Sequence, residues 1–314
     1  MARINPKLRE PTYDEVVVDE LIGPYRVVAD EHYLRQASFA LGQYGQAYHG
    51  GLGSLVPAAM VGRDLVALFC EVYDPSRTVG LHQKEEIWFH APIPLGTVME
   101  YSGRYTNKYE RRGKGYTVFD CKAHDVATGK LLVRQISTEI MRIPAGIQLG
   151  TGSAPADPGS PRVAAHWPAE RTPVARATAG LHPGTPIVPL TKVARQDQMT
   201  VFSGGGRQWY NIHTDIEVAQ KAGFRDTLAQ GMMETCWVAE MLENFAGPDW
   251  HNSGWCKMAY LKPVFRGDEV TCRAIITAVE PADSGTKFHF EVWVENTRGE
   301  ITAAGWASCF TRWP

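Results

Sequence analysis

Several features are missing from this 314-residue sequence, and each absence narrows the class of protein it can be. No apolar run reaches about 18 residues, the length that a membrane-spanning helix needs. Lysine and arginine form no continuous stripe, and a formal net charge of −2 argues against a nucleic-acid-binding surface. The polar start of the chain lacks the apolar core of a signal peptide. We therefore expect a cytoplasmic protein that binds neither a membrane nor nucleic acid.

The sequence also lacks clustered metal ligands. Six cysteines are present, but none belongs to a C-x-x-C pair. Paired cysteines and histidines at short spacing are the signature of a zinc site, and scattered single cysteines fit a reducing compartment. The prediction is therefore a protein without a metal or a redox cofactor.

What the sequence does contain is a weak internal repeat. Residues 90–104 align with residues 261–274, and each segment is followed by a strand, a turn and a second strand. The matched pairs are Pro92 with Pro263, Gly96 with Gly267, and Gly129 with Gly299. Further upstream, Gln43 aligns with Gln208 and Tyr48 with His213. Ordered matches at similar offsets indicate two copies of one unit.

Each unit is predicted to hold one helix and several long antiparallel strands. The segment AQGMMETCWVAEMLENF (229–245) is apolar on nearly every side, which is typical of a buried helix, and residues 54–69 take that place in the first unit. The segment FHFEVWVE (288–295) alternates like a half-buried strand. A buried helix wrapped by a curved sheet is the hot-dog unit, so the fold class is α+β, a double hot-dog.

The domain boundaries follow from composition. A region rich in proline, glycine and alanine without periodicity separates the two units, which predicts an irregular linker over 146–185. The first unit then covers 1–145 and the second covers 186–314.

Outside the linker, nearly the whole sequence resembles the MaoC-like, (R)-specific enoyl-CoA hydratase/dehydratase family in its double-hot-dog form, and residues 202–233 are the most specific stretch. The family pattern is S-G-D-x-N-P-x-H, followed by an Asp, an Ala, a Gly-rich bend and A-H-G-M. The matching positions are Ser203, His213, Asp215, Ala219, Gly223 and the AQGM of 229–232. The catalytic aspartate of the family falls on Gln208 and its asparagine on Tyr210. The mesaconyl-CoA hydratase subgroup is similar in having an amide at the first of these positions.

The resemblance implies addition or removal of water at the 2,3 double bond of an acyl thioester. His213 would be the general base, because an imidazole titrates near neutrality. Gln208 would orient the water. An amide cannot take up a proton, but it can hydrogen-bond to a water molecule and fix its orientation. The backbone N–H of Gly231, at a helix start, would stabilise the enolate.

Five further residues are predicted to contact the substrate: Tyr48, Tyr210, Lys257, Lys262 and Arg266. The three cations could meet the phosphates of coenzyme A. The substrate itself would be carried by coenzyme A or by an acyl-carrier protein. Because two hot dogs in one chain already supply the pairing that single units obtain by dimerising, a monomer or a homodimer is expected.

Each of these assignments has a structural alternative. His213 could be a structural residue near a helix start, Gly231 a glycine required for packing, and the cations solvated side chains. Asp215 is expected to be structural, because Thr214 and Glu217 have capping-box spacing. Gln208 could mark an inactive site, and the protein would then bind acyl thioesters or shape a hetero-oligomer. A hot-dog lyase or cyclase of specialised metabolism is a third possibility.

Overall fold

The computed structural model describes residues 7–51, 53–74, 80–150, 152, 163, 166–204 and 210–313. The strands are β1 Leu21–Val28, β2 Leu81–Phe89, β3 Val98–Arg111, β4 Lys114–Asp125, β5 Leu131–Met141, β6 Leu190–Val193, β7 Trp255–Tyr260, β8 Glu269–Ala282, β9 Gly285–Asn296 and β10 Ile301–Arg312. The helices are α1 Glu31–Leu41, α2 Ala58–Ala67, α3 Gln196–Phe202, α4 Ile216–Lys221, α5 Gly231–Ala246 and α6 Trp250–Ser253. Short 3₁₀ turns cover Gln46–Tyr48, Leu68–Glu71 and Gly247–Asp249.

The strands form one antiparallel sheet that contains the repeat. Its order is β1-β3-β4-β5-β2-β7-β10-β9-β8-β6. Read from either edge toward the β2–β7 junction, the two halves have the same connectivity, with β1 equivalent to β6 and β3 to β8. The prediction of two copies of a hot-dog unit is confirmed.

The matched glycines occupy equivalent turns before β3 and β8. Gly96 and Gly267 have φ angles of 91° and 84°, a region that glycine enters without the cost that a Cβ imposes. The N–H of Gly96 donates to the carbonyl of Ala29 at 2.9 Å, and that of Gly267 donates to Ala194 at 2.8 Å. The two turns therefore share a conformation and a hydrogen bond. Because that conformation favours glycine in both units, the glycines appear as a matched pair in the sequence.

The two central helices pack side by side in opposite directions inside the sheet. A Cβ on Gly62 of α2 would lie 2.5 Å from Met232 Cε, near the start of α5. One turn later on α5, the Cys236 thiol lies 3.4 Å from the carbonyl of Ala59. The end of α2 therefore lies beside the start of α5. Burial of each large apolar side chain in this core contributes roughly 1.5–3 kcal/mol.

The first central helix is shorter than the predicted 54–69. It begins at Ala58 because Pro57 precedes it, and a proline disfavours helical backbone in the residue before it. After Ala67 the chain tightens into the 3₁₀ turn Leu68–Glu71. The second helix begins at Gly231, two residues after the predicted start at 229.

Part of the predicted linker 146–185 lies outside the described residues. Its described end packs on the second unit, where the Gly184 N–H donates to the carbonyl of Ile276 at 2.7 Å. Trp167 contacts Trp293 edge to face, with ring centroids 6.4 Å apart. None of the described helices has the length and apolar character that crossing a lipid bilayer requires.

Candidate active site

A cavity of about 540 Å³ lies where the two units meet. The start of α5 and the end of α2 both line it, together with the connection from β7 to β8 and the segment that precedes α4. Because α2 belongs to the first unit and α5 to the second, the cavity walls come from both copies of the repeat.

His213 lines this cavity on the loop before α4. Its backbone N–H donates to Asn211 Oδ1 at 2.8 Å, and its Nδ1 lies 2.7 Å from the carbonyl oxygen of Leu228. A carbonyl only accepts hydrogen bonds, so Nδ1 carries the proton and Nε2 keeps its lone pair. The ring is thereby fixed as the tautomer whose remaining nitrogen can act as a base.

Burial lowers the pKa of His213 to about 4, although the hydrogen bond to Leu228 acts in the opposite direction. The reason is that a charged imidazolium is poorly solvated in this cavity. The ring is therefore neutral at pH 7, and Nε2 is free to accept a proton. It is a weaker base than a solvated imidazole.

Gly231 is the first residue of α5, and its N–H has no intrahelical partner. This N–H donates no hydrogen bond to any acceptor in the described part of the chain. Gly231 also lines the cavity. A Cβ at this position would lie 2.6 Å from Cδ2 of Tyr260. Packing alone therefore requires a glycine here, and the free N–H is an additional property of the position.

The loop that leads to His213 is anchored at its start. Ser203 is buried, and its Oγ accepts a hydrogen bond from Gln230 Nε2 at 2.9 Å. This bond joins the first residue of the family pattern to the N-cap of α5. Gln208 lies outside the described residues, so its assignment stays a prediction.

The short helix after His213 begins one residue later than its capping-box spacing predicts. Asp215, not Thr214, is the N-cap, and its Oδ1 accepts from the N–H groups of Glu217 and Val218 at 2.9 and 3.0 Å. Asp215 thus has the structural role expected of it.

Tyr48 is not among the residues that line the cavity. Its hydroxyl donates to Glu243 near the end of α5, while Gln43 Nε2 donates to the other oxygen of the same carboxylate at 3.1 Å. His251 Nε2 lies 3.3 Å from Glu243 as well. The position that corresponds to the His213 site in the first unit is therefore occupied by the protein's own side chains.

The other predicted substrate contacts are dispersed. Lys262 lines the cavity and pairs with Glu300 at 2.8 Å, with about half of its side chain exposed. Lys257 is mostly buried and lies 3.7 Å from Glu86 on β2, and Arg266 pairs with Asp226 at 3.1 Å. Tyr210 is exposed. The structure brings only Lys262 of this group to the cavity.

Glu234, which the sequence analysis did not select, also lines the cavity. It is 3% exposed, and its Oε1 accepts a hydrogen bond from Thr302 at 2.5 Å. Burial raises its pKa to about 8. The available signal was an acidic residue beside two methionines in the first turn of the helix.

A second group missed by the sequence analysis is a polar network on the α2 side of the cavity. Asp64 Oδ2 accepts hydrogen bonds from the hydroxyls of Tyr33 at 2.6 Å and Tyr101 at 3.2 Å. Its Oδ1 accepts from Arg63 Nε at 2.8 Å, and Arg63 Nη1 lies 3.5 Å from the carbonyl of Phe202. Arg63 and Asp64 are adjacent, but Tyr33 and Tyr101 lie 31 and 37 positions from Asp64, so no local pattern reveals the network.

Comparison with known proteins agrees with the fold. Residues 174–298 match the model of the MaoC like domain. No curated protein sequence matches the chain significantly. Among solved structures, a MaoC-like dehydratase has a TM-score of 0.70 and 16% identity, covering 95% of this chain and 98% of its own.

Two further solved structures are similar to this chain in fold. The RV0216 protein of Mycobacterium tuberculosis, described as a double hot-dog, has a TM-score of 0.69 and 13% identity, with 96% of this chain and 98% of that one covered. The peroxisomal multifunctional enzyme type 2 of Drosophila melanogaster has a TM-score of 0.62 and 15% identity, with 93% of this chain and 48% of that one covered. The chain is therefore a double hot-dog protein whose residues 174–298 match the model of the MaoC like domain.

Proposed function

We propose that this protein adds water to, or removes water from, the 2,3 double bond of an acyl thioester, with coenzyme A as the carrier. The observation that carries this proposal is the shared cavity of His213 and Gly231. The first residue offers an unprotonated ring nitrogen, and the second offers a free N–H at a helix start. A base and an oxyanion donor in one cavity are the two elements that hydration of an enoyl thioester requires.

In the hydration direction, His213 Nε2 takes a proton from water while the water oxygen bonds to C3. The electron pair of the double bond moves toward C2 and the thioester oxygen, giving an enolate. The imidazolium then returns the proton to C2, so that one water molecule is added and His213 is neutral again. Dehydration is the reverse sequence.

The N–H of Gly231 would bind the enolate oxygen. The N-terminal end of a helix carries partial positive charge, and 16-residue α5 directs that end at the cavity. Removing one such donor in other enzymes costs about 10²–10³ in rate. Enolate stabilisation matters more here because His213 is a weak base.

Gln208 is proposed to hold the attacking water by hydrogen bonds, as its alignment with the family's aspartate implies. An amide fixes the orientation of the water without titrating, so proton transfer is left to His213. Lys262, exposed beside the cavity, is proposed to meet the phosphates of the carrier.

Two comparisons support the reaction class. The MaoC like domain covers residues 174–298, which include His213 and Gly231, and a similar structure is named a MaoC-like dehydratase. The experiment is incubation of the purified chain with a panel of trans-2-enoyl-CoA thioesters of four to ten carbons. We expect a product 18 mass units heavier, identified as the 3-hydroxyacyl thioester by NMR. The absence of hydration and of the reverse reaction across the panel would contradict the proposal.

A further inference from the structure

The network around Arg63 and Asp64 belongs to the first unit, yet it lines the cavity of the second. Antiparallel packing of the central helices places it there, because the end of α2 lies beside the start of α5. The carbonyl of Phe202, next to the anchored Ser203, accepts from Arg63. The network therefore lies in the interior wall of the cavity, whereas Lys262 is half exposed.

Four polar side chains in one wall are an unusual lining for a plain hydrocarbon chain. Contact with an alkyl group would strip these groups of water without replacing the hydrogen bonds that they can still make. Arg63 has five N–H donors, and three contacts to Asp64 and Phe202 are found within the described part of the chain. Donors thus remain for a ligand.

The acceptors in this wall are equally specific. Both tyrosine hydroxyls are within hydrogen-bond distance of Asp64 Oδ2, and the two also interact with each other. Each phenolic oxygen has two lone pairs, so at least one on each of Tyr33 and Tyr101 remains for a ligand. A guanidinium N–H beside a phenolic oxygen matches a ligand group that accepts one hydrogen bond and donates another. An alcohol is such a group.

Charge argues against an anionic ligand group in this wall. The Arg63 guanidinium is already paired with Asp64, at 2.5 Å between Nη2 and Oδ1. Of the described residues that line the cavity, four carry carboxyl groups and two carry permanent positive charge. The four are Asp64, Glu71, Glu139 and Glu234, of which Glu234 is neutral below its raised pKa of about 8, and the two are Arg63 and Lys262. Three carboxyl groups thus remain against two cations. A free carboxylate on the acyl group would therefore be repelled by the net negative charge of the side chains that line the cavity.

We propose that the substrate is a hydroxylated acyl thioester, whose neutral hydroxyl binds between Arg63 and the hydroxyls of Tyr33 and Tyr101. This inference rests on the proposed function for its reaction, but it concerns the acyl group alone. It separates the protein from hydratases of plain enoyl chains and from those of dicarboxylic acyl groups.

The test compares six-carbon trans-2-enoyl-CoA thioesters that are unsubstituted, hydroxylated at C4, C5 or C6, or carboxylated at C6. We expect kcat/KM for at least one hydroxylated isomer to exceed that of the unsubstituted thioester by about tenfold, the worth of roughly one well-made hydrogen bond. Equal values for all isomers, or a preference for the carboxylated thioester, would overturn the proposal.

Variants then locate the effect. Arg63→Lys keeps the charge but removes the fork of donors, and Tyr101→Phe removes one hydroxyl; each should bring the ratio of hydroxylated to unsubstituted kcat/KM toward one. Arg134→Lys is the matched control, because Arg134 pairs with Asp120 at 2.7 Å outside the cavity and its loss should leave the ratio unchanged. If the cavity variants fail to fold, as judged by thermal melting, the wild-type ratio alone decides.

Binding of saturated analogues separates this inference from the proposed reaction. Calorimetry with hexanoyl-CoA and its hydroxylated isomers needs no turnover. Tighter binding of a hydroxylated isomer by a chain that hydrates nothing would leave the inference standing and remove the proposed function. Turnover without hydroxyl preference would support the proposed function and overturn the inference. Absence of binding by every thioester would overturn both.

Discussion

His213 and Leu228 are joined by a hydrogen bond of 2.7 Å between the ring Nδ1 and the backbone carbonyl. This bond decides which nitrogen can serve as a base, because the other end of the ring is left unprotonated. It also links the loop before α4 to the residues that lead into α5, so that the base and the oxyanion donor are held by neighbouring segments.

The first prediction concerns the pH dependence of activity. The base acts when it is neutral, so kcat/KM falls as pH decreases through the pKa of His213. Since burial lowers that pKa to about 4, we expect a single acidic limb near pH 4 rather than near 6.5. The measurement is the pH profile of kcat/KM, with circular dichroism to exclude acid unfolding. A limb at or above pH 6.5 would mean that His213 is solvated or not the base.

The second prediction concerns Gln208, whose role comes from the sequence. Gln208→Leu should lose most activity, because the attacking water loses a hydrogen-bond partner. Gln208→Asp should remain folded and active but add a second titrating group to the pH profile. Full activity in the leucine variant would show that the amide has no chemical role. If wild type and both variants are all inactive toward every enoyl thioester, the site does not catalyse hydration.

The third prediction separates packing from chemistry at Gly231. Gly231→Ala keeps the N–H but adds a Cβ that collides with the Tyr260 ring, so we expect a loss of about 1–3 kcal/mol in the free energy of unfolding and lower turnover. Adding Tyr260→Leu should relieve the collision and recover part of both. In that background Gly231→Pro, which lacks the N–H, should fold but not turn over. Turnover by the proline variant would contradict the oxyanion role.

The fourth prediction concerns Glu234 and stability. Its folded pKa of about 8 lies above the ordinary 4.5, so the folded chain holds a proton that the unfolded chain releases. The stability that this group contributes as a neutral acid is therefore lost as pH rises from about 4.5 to 8. Glu234→Gln should be more stable than wild type at pH 8 and similar at pH 4.5, measured by urea unfolding. An equal difference at both pH values would show that Glu234 does not titrate in this range.

The fold could be predicted because its signals are local and repeated. Gly96 and Gly267 are marked by a backbone conformation that only glycine adopts freely, and the helix that begins at Gly231 is apolar on nearly every side. Partners on distant elements leave no such signal. Tyr48 contacts Glu243, 195 positions later, and Arg266 pairs with Asp226, 40 positions earlier. Charges that look available for a ligand in the sequence are therefore paired within the fold.

The same limit explains what was found only in the structure. Arg63 belongs to the first unit and contributes to the cavity of the second because α2 and α5 run in opposite directions. A repeat detected in the sequence predicts two equivalent units, but it does not predict which faces of the two units share a cavity.

The central claim is that His213 is the general base of a hydratase. The most direct test is the ratio of kcat/KM for hydration of a responsive trans-2-enoyl-CoA between His213→Ala and His32→Ala, a control at an exposed histidine on α1. We expect a loss of about 10²–10⁴-fold in the first variant, the usual worth of a general base, and wild-type activity in the second. The His213→Ala chain should remain folded although it loses the hydrogen bond to Leu228. Wild-type turnover by a folded His213→Ala protein would contradict the account.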